Sequence, residues 1–529
     1  MDGERSGGSG QRKSRNRFAG ERERNIRRFR MEEERRRKAG RRRAQKRAAT
    51  EGVREYVLAN TPKSIGMAMP RRRFVLHVGP TNSGKTHDAL ETLKKARTGV
   101  YLAPLRLLAL EVGERLRDAG IRSSIVTGEE QDMADSDTHF SGTVEMLDTH
   151  REYEVAVIDE AQMIADSDRG GAWTRAILQV RAEEVHVCMS PEALGLVFRL
   201  LDLTPNEAEV VQHERANELV VEDDVWDGDL QTGDAYICFS RRQVLEVAGR
   251  FERDGHHPAV IYGGLPWRAR RREAAKFLEG SADVLVATDA IGMGLNLPIR
   301  RIIFHQLHKY DGRSDRPLTD LEIRQIAGRA GRYGMFEEGR VTAVRHKDML
   351  RLRDLLAPFP VEPIDYAYRS FDLALGLDER WPLSLIMRCW RETRPGASFL
   401  LTQDVSTPIE AAIWVERKYG NAGMERDMAY DLAFLPFEWD DHDLRDEFRS
   451  SVRRFMRGDE MTWLAMFDAD GNDLKELERG LKILAFRFAF ARAVGLLDDD
   501  MLTGFNATRD HLERMLINLL DGPKGILIR

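Results

Sequence analysis

The stretch GPTNSGKT, residues 79–86, sets four residues between Gly79 and Gly84 and follows them directly with Lys85 and Thr86. Backbone N–H groups across such a loop converge on an anion, and the helix that follows adds the positive end of its dipole. The spacing predicts a polyphosphate-binding loop made of Gly79, Pro80, Thr81, Asn82, Ser83, Gly84, Lys85 and Thr86. Lys85 is expected to neutralise the β- and γ-oxygens, and the Thr86 hydroxyl to ligate Mg2+. A second chemical pair, Asp159-Glu160, ends the apolar run VAVI. A carboxylate in that place suits the same metal, which assigns Asp159 with Thr86 to Mg2+ and Glu160 to polarising a water. A third cluster, QIAGRAGR, supplies Gln325, Arg329 and Arg332. Arginines on a glycine-punctuated helix suit a γ-phosphate reached across a cleft as charge builds on it.

Such groups must be carried on elements that end at one place. FVLHV (74–78), GVYLAP (99–104), VAVIDEAQ (155–162) and EVHVCMS (184–190) are apolar, β-branched runs, separated by helical patterns such as RLLALEVGERLRDAG. The pattern restarts with DAYICFS (234–240), PAVIYGG (258–264), DVLVATD (283–289), RRIIFH (300–305) and GRVTAV (339–344), in a unit without a phosphate loop. Alternating strands and helices predict doubly wound parallel sheets, with chemistry at the carboxyl ends of the strands. The joint is expected near 205–232, where TPNEAEVVQ and DDVWDGDLQTGD are polar and turn-rich; beyond Pro358 strands fade and helical periodicity takes over. The expected organisation is a basic arm, helical or disordered, over 1–69, α/β domains over 70–212 and 213–357, and a helical region over 358–529.

Composition narrows the class. No apolar run approaches the roughly eighteen residues of a membrane span, so no membrane is expected. Three cysteines, Cys188, Cys238 and Cys389, lie far apart and make neither a disulfide framework nor a zinc site. Residues 1–50 hold 19 basic and 7 acidic residues on a chain of net charge −5, so the body carries −17. A basic arm on an acidic body suits a polyanion, though a solvated charged segment has the same composition. Its acids, Glu21, Glu23 and Glu32–Glu34, are unlike a transit peptide, which predicts a cytoplasmic rather than a mitochondrial setting.

A nucleotide loop and acid pair in one α/β unit, with arginines in a second, describe ATP bound between two domains that its hydrolysis opens and closes. ATDAIGMGLNLP (287–298) and QIAGRAGR resemble motifs V and VI of superfamily-two helicases. APLRLLALE, Thr127-Gly128 and TVEM resemble the strand-contacting motifs of a first RecA-like domain, and YICFSRRQ and VIYGGLP those of a second. GPTNSGKT, DEAQMI with GGAWTRAIL and HVCMSPEAL, VATDAIGMGLNLPIRRIIF and LTDLEIRQIAGRAGRYG together resemble the suppressor-of-Var (Suv-type) RNA helicases, over about residues 74–345. That family comprises the helicase of the mitochondrial RNA degradosome and its bacterial relatives.

The resemblance implies two tandem RecA-like domains, a helical C-terminal region, and ATP- and Mg2+-dependent unwinding of structured RNA. It further implies 3′→5′ polarity, a role in RNA surveillance or decay, and an exoribonuclease as partner. It places Asp289 and Gly292 at the nucleotide, and Pro104, Arg106, Thr127, Gly128, Thr143, Ser240, Arg241 and Thr288 on RNA phosphate and sugar. For each of these RNA contacts a role in helix capping or surface charge is the simple alternative. HKYDGRSDRPLTD (308–320) is either a strand-parting hairpin or a plain surface loop. Two positions depart from the family pattern: Ala161 stands where Ile is usual, and Met189-Ser190-Pro191 where a Gly-Glu-Pro-like stretch couples hydrolysis to movement. No glutamine occurs between Gln45 and the loop, which predicts loose base selectivity, with GTP accepted beside ATP. The motor motifs do not separate RNA from DNA, so a DNA helicase or translocase and a non-unwinding ATP-gated clamp stand as alternatives.

If the arm grips RNA, deleting residues 1–50 should weaken RNA binding and flatten its salt dependence in a titration across ionic strength. Identical binding curves would leave the arm a solvated segment.

Overall fold

Parallel strands covered on both faces need continuous apolar runs, and those around the phosphate loop and the acid pair form the middle of a sheet. The computed structural model describes residues 37–38, 47–60 and 71–522, apart from 128–130, 133–135, 216, 293–296, 311–313, 332–335, 357–361, 372, 394–395, 421–423, 470 and 472. The first sheet contains β1 (Arg72–Val78), β2 (Gly99–Ala103), β3 (Ser123–Val126), β4 (Gln131–Asp132), β5 (His139–Thr143), β6 (Glu152–Ile158), β7 (Arg181–Met189) and β8 (Asn206–Gln212). Their order is β4-β3-β5-β2-β6-β7-β1-β8, parallel except for β3 with β4. The second sheet holds β9 (Glu218–Val221), β10 (Asp234–Ile237), β11 (Pro258–Ile261), β12 (Val284–Ala287), β13 (Arg301–Phe304) and β16 (Glu338–Ala343). Its order is β11-β12-β10-β13-β16-β9, parallel throughout. Between β13 and β16, β14 (His308–Tyr310) and β15 (Asp315–Pro317) pair as an antiparallel ribbon. Two parallel sheets followed by a largely helical region are the fold class read from the sequence.

The joint between the sheets is tighter than the composition implies. TPNEAEVVQ, expected as a turn-rich connection, forms β8, an edge strand whose side chains are almost all exposed. It is polar because its carboxylates answer arginines on β1 and just before it: Glu207 pairs with Arg71, and Glu209 with Arg73 at 2.8 Å. With β9 starting at Glu218, only residues 213–217 pass between the sheets.

Strands also do not end at Pro358. Ala367–Arg369 and Leu400–Thr402 form a parallel pair, and Ala367 and Leu400 are buried in the hydrophobic core of the first sheet. Most of the basic arm lies outside the described residues, but 47–60 form a helix. Val53 and Val57 of that helix are wholly buried against Phe371, Met387 and Trp390. The long helices Leu474–Ala493 and Asp499–Asp521 share a continuous core with the second sheet, running from Tyr236 and Val260 to Phe486 and Leu516. Arg268 and Arg272 on helix Trp267–Leu278 reinforce this joint by pairing with Asp510 and Asp521.

The C-terminal region therefore touches both sheets, and its contact with the first is close. A Cβ on Gly171, in the helix Gly170–Gln179 that follows the acid pair, would lie 2.5 Å from Ser370 N and 2.8 Å from Ser370 Cα. Gly171→Ala should destabilise the fold by the ~1–3 kcal/mol typical of overpacking and so lower the unfolding midpoint. A thermal melt superposing on wild type would show that the C-terminal strand pair does not bear on this helix.

Candidate functional site

The phosphate loop leaves β1 at Val78 and enters the helix Lys85–Lys95. The turn requires Gly84 at φ +85°, a left-handed conformation that glycine adopts without steric cost, and Asn82 at φ +67°. Lys85 is buried and its Nζ donates to Pro80 O at 3.0 Å. Beneath the loop runs a chain of imidazoles. His77 Nδ1 is 2.9 Å from His213 Nε2, His77 Nε2 is 2.8 Å from His186 Nδ1, and His186 Nε2 is 2.7 Å from Glu184 Oε1. Burial, with His186 and His213 alongside, pushes His77 down to about 4, so the ring is neutral in the fold.

Asp159, at the end of β6, is buried, and both its oxygens are met. Thr86 Oγ1 donates to Oδ1 at 3.1 Å, and Tyr101 OH donates to Oδ2 at 2.9 Å. Burial and the neighbouring Glu160 push Asp159 up to about 6, while Lys85 and the Tyr101 hydroxyl pull the other way. The fully buried Tyr101 is held above its usual value by burial and by Asp159, so it remains a donor. Two carboxylates side by side, one buried and short of positive charge, with a hydroxyl on the loop side, are the donor set a hard divalent cation takes. Glu160 sits at φ +51°, a left-handed conformation for a non-glycine residue that costs on the order of 1–3 kcal/mol and is seen most at functional sites. Its N–H donates to Asp159 Oδ1 at 2.9 Å, and its carboxylate accepts from Gln162. Gln162 Oε1 accepts from Ser190 N at 3.2 Å, and Glu192 O accepts from Ile364 N at 2.8 Å. Hydrogen bonds, joined by the main-chain step from Ser190 to Glu192, thus lead from the acid pair, through the segment that departs from the family pattern, to the C-terminal region.

The second sheet faces this loop with helix Asp320–Ala327 and the turn after it. Asn82 Nδ2 donates to Gly331 O at 2.9 Å, and a Cβ on Gly328 would lie 2.8 Å from Thr81 Cβ. Arg329 donates to Gly292 O through Nη2 at 2.6 Å and Nε at 3.0 Å. Burial lowers its guanidinium, while Glu160 and Asp159 act to raise it, which places Arg329 in the field of the acid pair. Gln325 is buried with Nε2 unpartnered, as is Ser83 Oγ in the loop. Arg332 and Gly128 lie outside the described residues. Asp289, expected at the nucleotide, carries an ion pair to Lys309 of the antiparallel ribbon at 2.7 Å.

Two residues of the linker close this contact, and the sequence reading passed over both. Arg215 donates to Gly328 O at 2.9 Å and to Ala330 O, and Asn217 donates to Gly331 O at 3.2 Å. Their targets are backbone carbonyls, which leave no signature in the sequence beyond a polar joint.

In the first sheet the residues expected on RNA follow the strands on the side away from β1. Pro104, Arg106, Thr127 and Thr143 follow or end β2, β3 and β5, whereas the nucleotide residues follow β1 and β6. In the second sheet Ser240, Arg241 and Thr288 follow β10 and β12. Several also hold local structure. Pro104 O accepts from Arg169 at 2.7 Å, Ser240 caps helix Arg241–Arg253, Thr288 Oγ1 accepts from Ala290 N at 3.2 Å, and Arg241 pairs with Glu478. Arg106 meets Trp267, Arg270, Lys475, Arg479 and Arg509 around a cavity of roughly 890 Å3 between both sheets and the long helix Leu474–Ala493.

A family described as "DEXQ-box helicase domain of Suv3" matches residues 66–213, and "Helicase conserved C-terminal domain" matches residues 219–334. Among curated proteins, the mitochondrial DExH-box ATP-dependent RNA helicase DExH16 of Arabidopsis thaliana is 44% identical, over 59% of this chain and 56% of that protein. The mitochondrial ATP-dependent RNA helicase SUV3L of Oryza sativa is 46% identical over 53% of this chain and 39% of that protein. The mitochondrial helicase SUPV3L1 of Homo sapiens is 45% identical over 56% and 39%. The chain spans about half, or less, of the length of the curated relatives it matches. Among solved structures, S. cerevisiae Dbp5 bound to RNA and ADP BeF3 aligns at 14% identity and TM-score 0.41, over 69% of this chain and 92% of that one, too distant to bear on function. The relatives correct one expectation: all three are mitochondrial proteins by name, against the cytoplasmic setting read from residues 1–50. Charge balance in an arm is a weak guide to compartment, because solvation and polyanion binding shape it as strongly as import does.

The imidazole chain has a consequence for stability. The unfolded chain protonates His77 near its usual 6.5, the folded one only near 4, so the fold binds fewer protons between those values. This contribution is complete above about 6.5 and is lost as pH falls toward and through 4. The thermal midpoint should therefore fall more steeply over that range in wild type than in His77→Gln. Parallel curves would remove His77 from the acid response.

Proposed function

Because the chain belongs to the Suv3-type family of DExH, superfamily-two RNA helicases, we propose that it couples ATP hydrolysis to movement along single-stranded RNA, and so unwinds structured RNA in surveillance or decay. The observation that carries this reading is the facing of the phosphate loop by the turn after Gln325, with Asn82 and Arg215 joining the two. A nucleotide held there touches both sheets, so its loss changes how they meet. The buried, unpartnered Ser83 Oγ and Gln325 Nε2 fit a bound phosphate, and the acid pair fits Mg2+. When bound, Mg2+ supplies charge neutralisation at the terminal phosphates.

The chain's own residues do the rest. Lys85 and the loop N–H groups hold the phosphates, and Thr86 and Asp159 hold the metal. Tyr101 fixes the Asp159 carboxylate through its second oxygen. Glu160 orients and deprotonates the attacking water, and its backbone strain aims the carboxylate out of the strand. Arg329 and Arg332 stabilise charge on the γ-phosphoryl group, and Gln325 reports its presence to the second sheet. Base recognition is loose, so GTP substitutes for ATP.

RNA passes through the cavity, where Arg106 of the first sheet, Trp267 and Arg270 of the second and Lys475, Arg479 and Arg509 of the C-terminal helices surround it. Cationic side chains beside an aromatic ring suit a single strand held by its backbone, without sequence readout. The antiparallel ribbon ending at the exposed Tyr310 parts the duplex, movement runs 3′→5′, and an exoribonuclease consumes the released strand.

The test is ATP hydrolysis by the purified protein alone, with single-stranded RNA and with matched single-stranded DNA. RNA should stimulate turnover, and Lys85→Ala should retain less than about a tenth of it, as expected where transition-state charge is left unneutralised. Equal stimulation by DNA would make it a general translocase. Robust turnover by Lys85→Ala would overturn the phosphate-site assignment.

A further inference from the structure

The helix His442–Arg457 meets its charges differently on its two flanks. On one, Asp443 and Glu447 face the long helix that borders the cavity and pair with Arg479 and Arg487, each at 2.8 Å. On the other, Arg445, Arg449 and Arg453 recur every four residues and so form one line along the helix. The Arg449 guanidinium lies 5.2 Å from the centre of the Trp439 ring, and Arg453 lies 5.8 Å from that of Trp414. Lys418, at the end of helix Ser406–Tyr419, stands 5.7 Å from Trp414 and 5.9 Å from Tyr419. Both tryptophans lean on the buried Phe448, at 5.6 and 6.0 Å, so the rings are fixed by the core, with Lys418 and Arg453 exposed beside them and Arg449 half-buried.

These cations are poorly compensated. Arg417, Lys418 and Arg453 are exposed, and none has a carboxylate within ion-pair distance among the described residues; Arg449 has only Asp446, at 3.7 Å. Like charges four residues apart weaken a helix. On a chain of net charge −5, such a cluster calls for an anion from outside. Planar cations seated on indoles also offer stacking faces, which unpaired bases fill and an acidic peptide does not. The line from Arg445 to Arg453 is about 12 Å long at ~1.5 Å per residue, room for roughly three or four stacked nucleotides.

We propose that this flank is a second RNA-binding surface, separate from the cavity, which holds a single-stranded stretch of the substrate while the motor acts on another. The proposal rests on the RNA-helicase reading and adds a site to it. Its role is grip: RNA long enough to reach both surfaces binds more tightly than RNA that fills only the cavity.

The experiment compares the full chain with a Lys418→Ala, Arg449→Ala, Arg453→Ala combination and with Arg449→Lys, each first checked by melting. Binding of a short and a long single-stranded RNA is measured across salt. For the combination, long-RNA affinity should fall at least tenfold at low salt and the salt slope should drop by about 2, given ~0.7 per phosphate contact. Short-RNA affinity and RNA-saturated ATP turnover should be unchanged, and Arg449→Lys should keep the wild-type slope. Unchanged long-RNA affinity and slope, in a protein whose hydrolysis RNA does stimulate, would overturn the proposal while leaving the helicase reading intact. Retained RNA binding with loss of binding to poly-glutamate would also overturn it, in favour of a protein-docking face. A wild-type enzyme indifferent to RNA would sink both readings together.

Discussion

A carboxylate can be buried only where other groups meet its oxygens, and Asp159 imposes that demand on the first sheet. Thr86 must reach it from the loop helix, which fixes the distance between β1 and β6, and Tyr101 must reach it from β2. Trp173 Nε1 donates to the Asp159 carbonyl at 2.8 Å, tying the following helix to the same point. Even so, the carboxyl is held high by burial and by Glu160, so the cluster remains short of positive charge. The site is therefore built rigid before any ligand arrives and is electrostatically suited to a cation.

The second half of the site is assembled through main-chain groups. Asn82, Arg215 and Asn217 all bind carbonyls of the turn Gly328–Gly331, and Arg329 binds the carbonyl of Gly292. Bonds to backbone report the position of a turn rather than the identity of its side chains. Arg215 and Asn217 both lie in the short linker between the sheets, yet the carbonyls they bind are more than a hundred positions away in the chain. The C-terminal region shares a core with the second sheet and also bonds to the segment after β7 of the first, so it is joined to both.

Charge is divided in the same spirit. Acids gather at the nucleotide end of the first sheet. Basic side chains gather around the cavity, where Arg479 and Lys482 pair with Asp443 and Asp441, and on the outer flank of helix His442–Arg457, where several have no carboxylate partner among the described residues. Paired cations are held in place and positioned; unpaired ones are available to a polyanion and sensitive to salt.

What the sequence by itself determined was local. Gly84, Lys85 and Thr86 lie next to one another in the chain, and the apolar runs that carry them, Asp159 and Thr288 have no other way to be buried than as central strands. The two sheets and their motif-bearing loops were legible for that reason. The edge strand β8 was not, because an exposed edge satisfies its backbone with few apolar side chains and reads as a loop. Tertiary structure alone decided the rest. It brought Tyr101 to Asp159 and Arg215 to a carbonyl, tied Asp289 to Lys309 and Arg241 to Glu478, and seated residues 47–60 on the C-terminal helices. The physical reason is that these contacts join residues tens to hundreds of positions apart, often through backbone groups that every residue carries, so composition and spacing hold no trace of them.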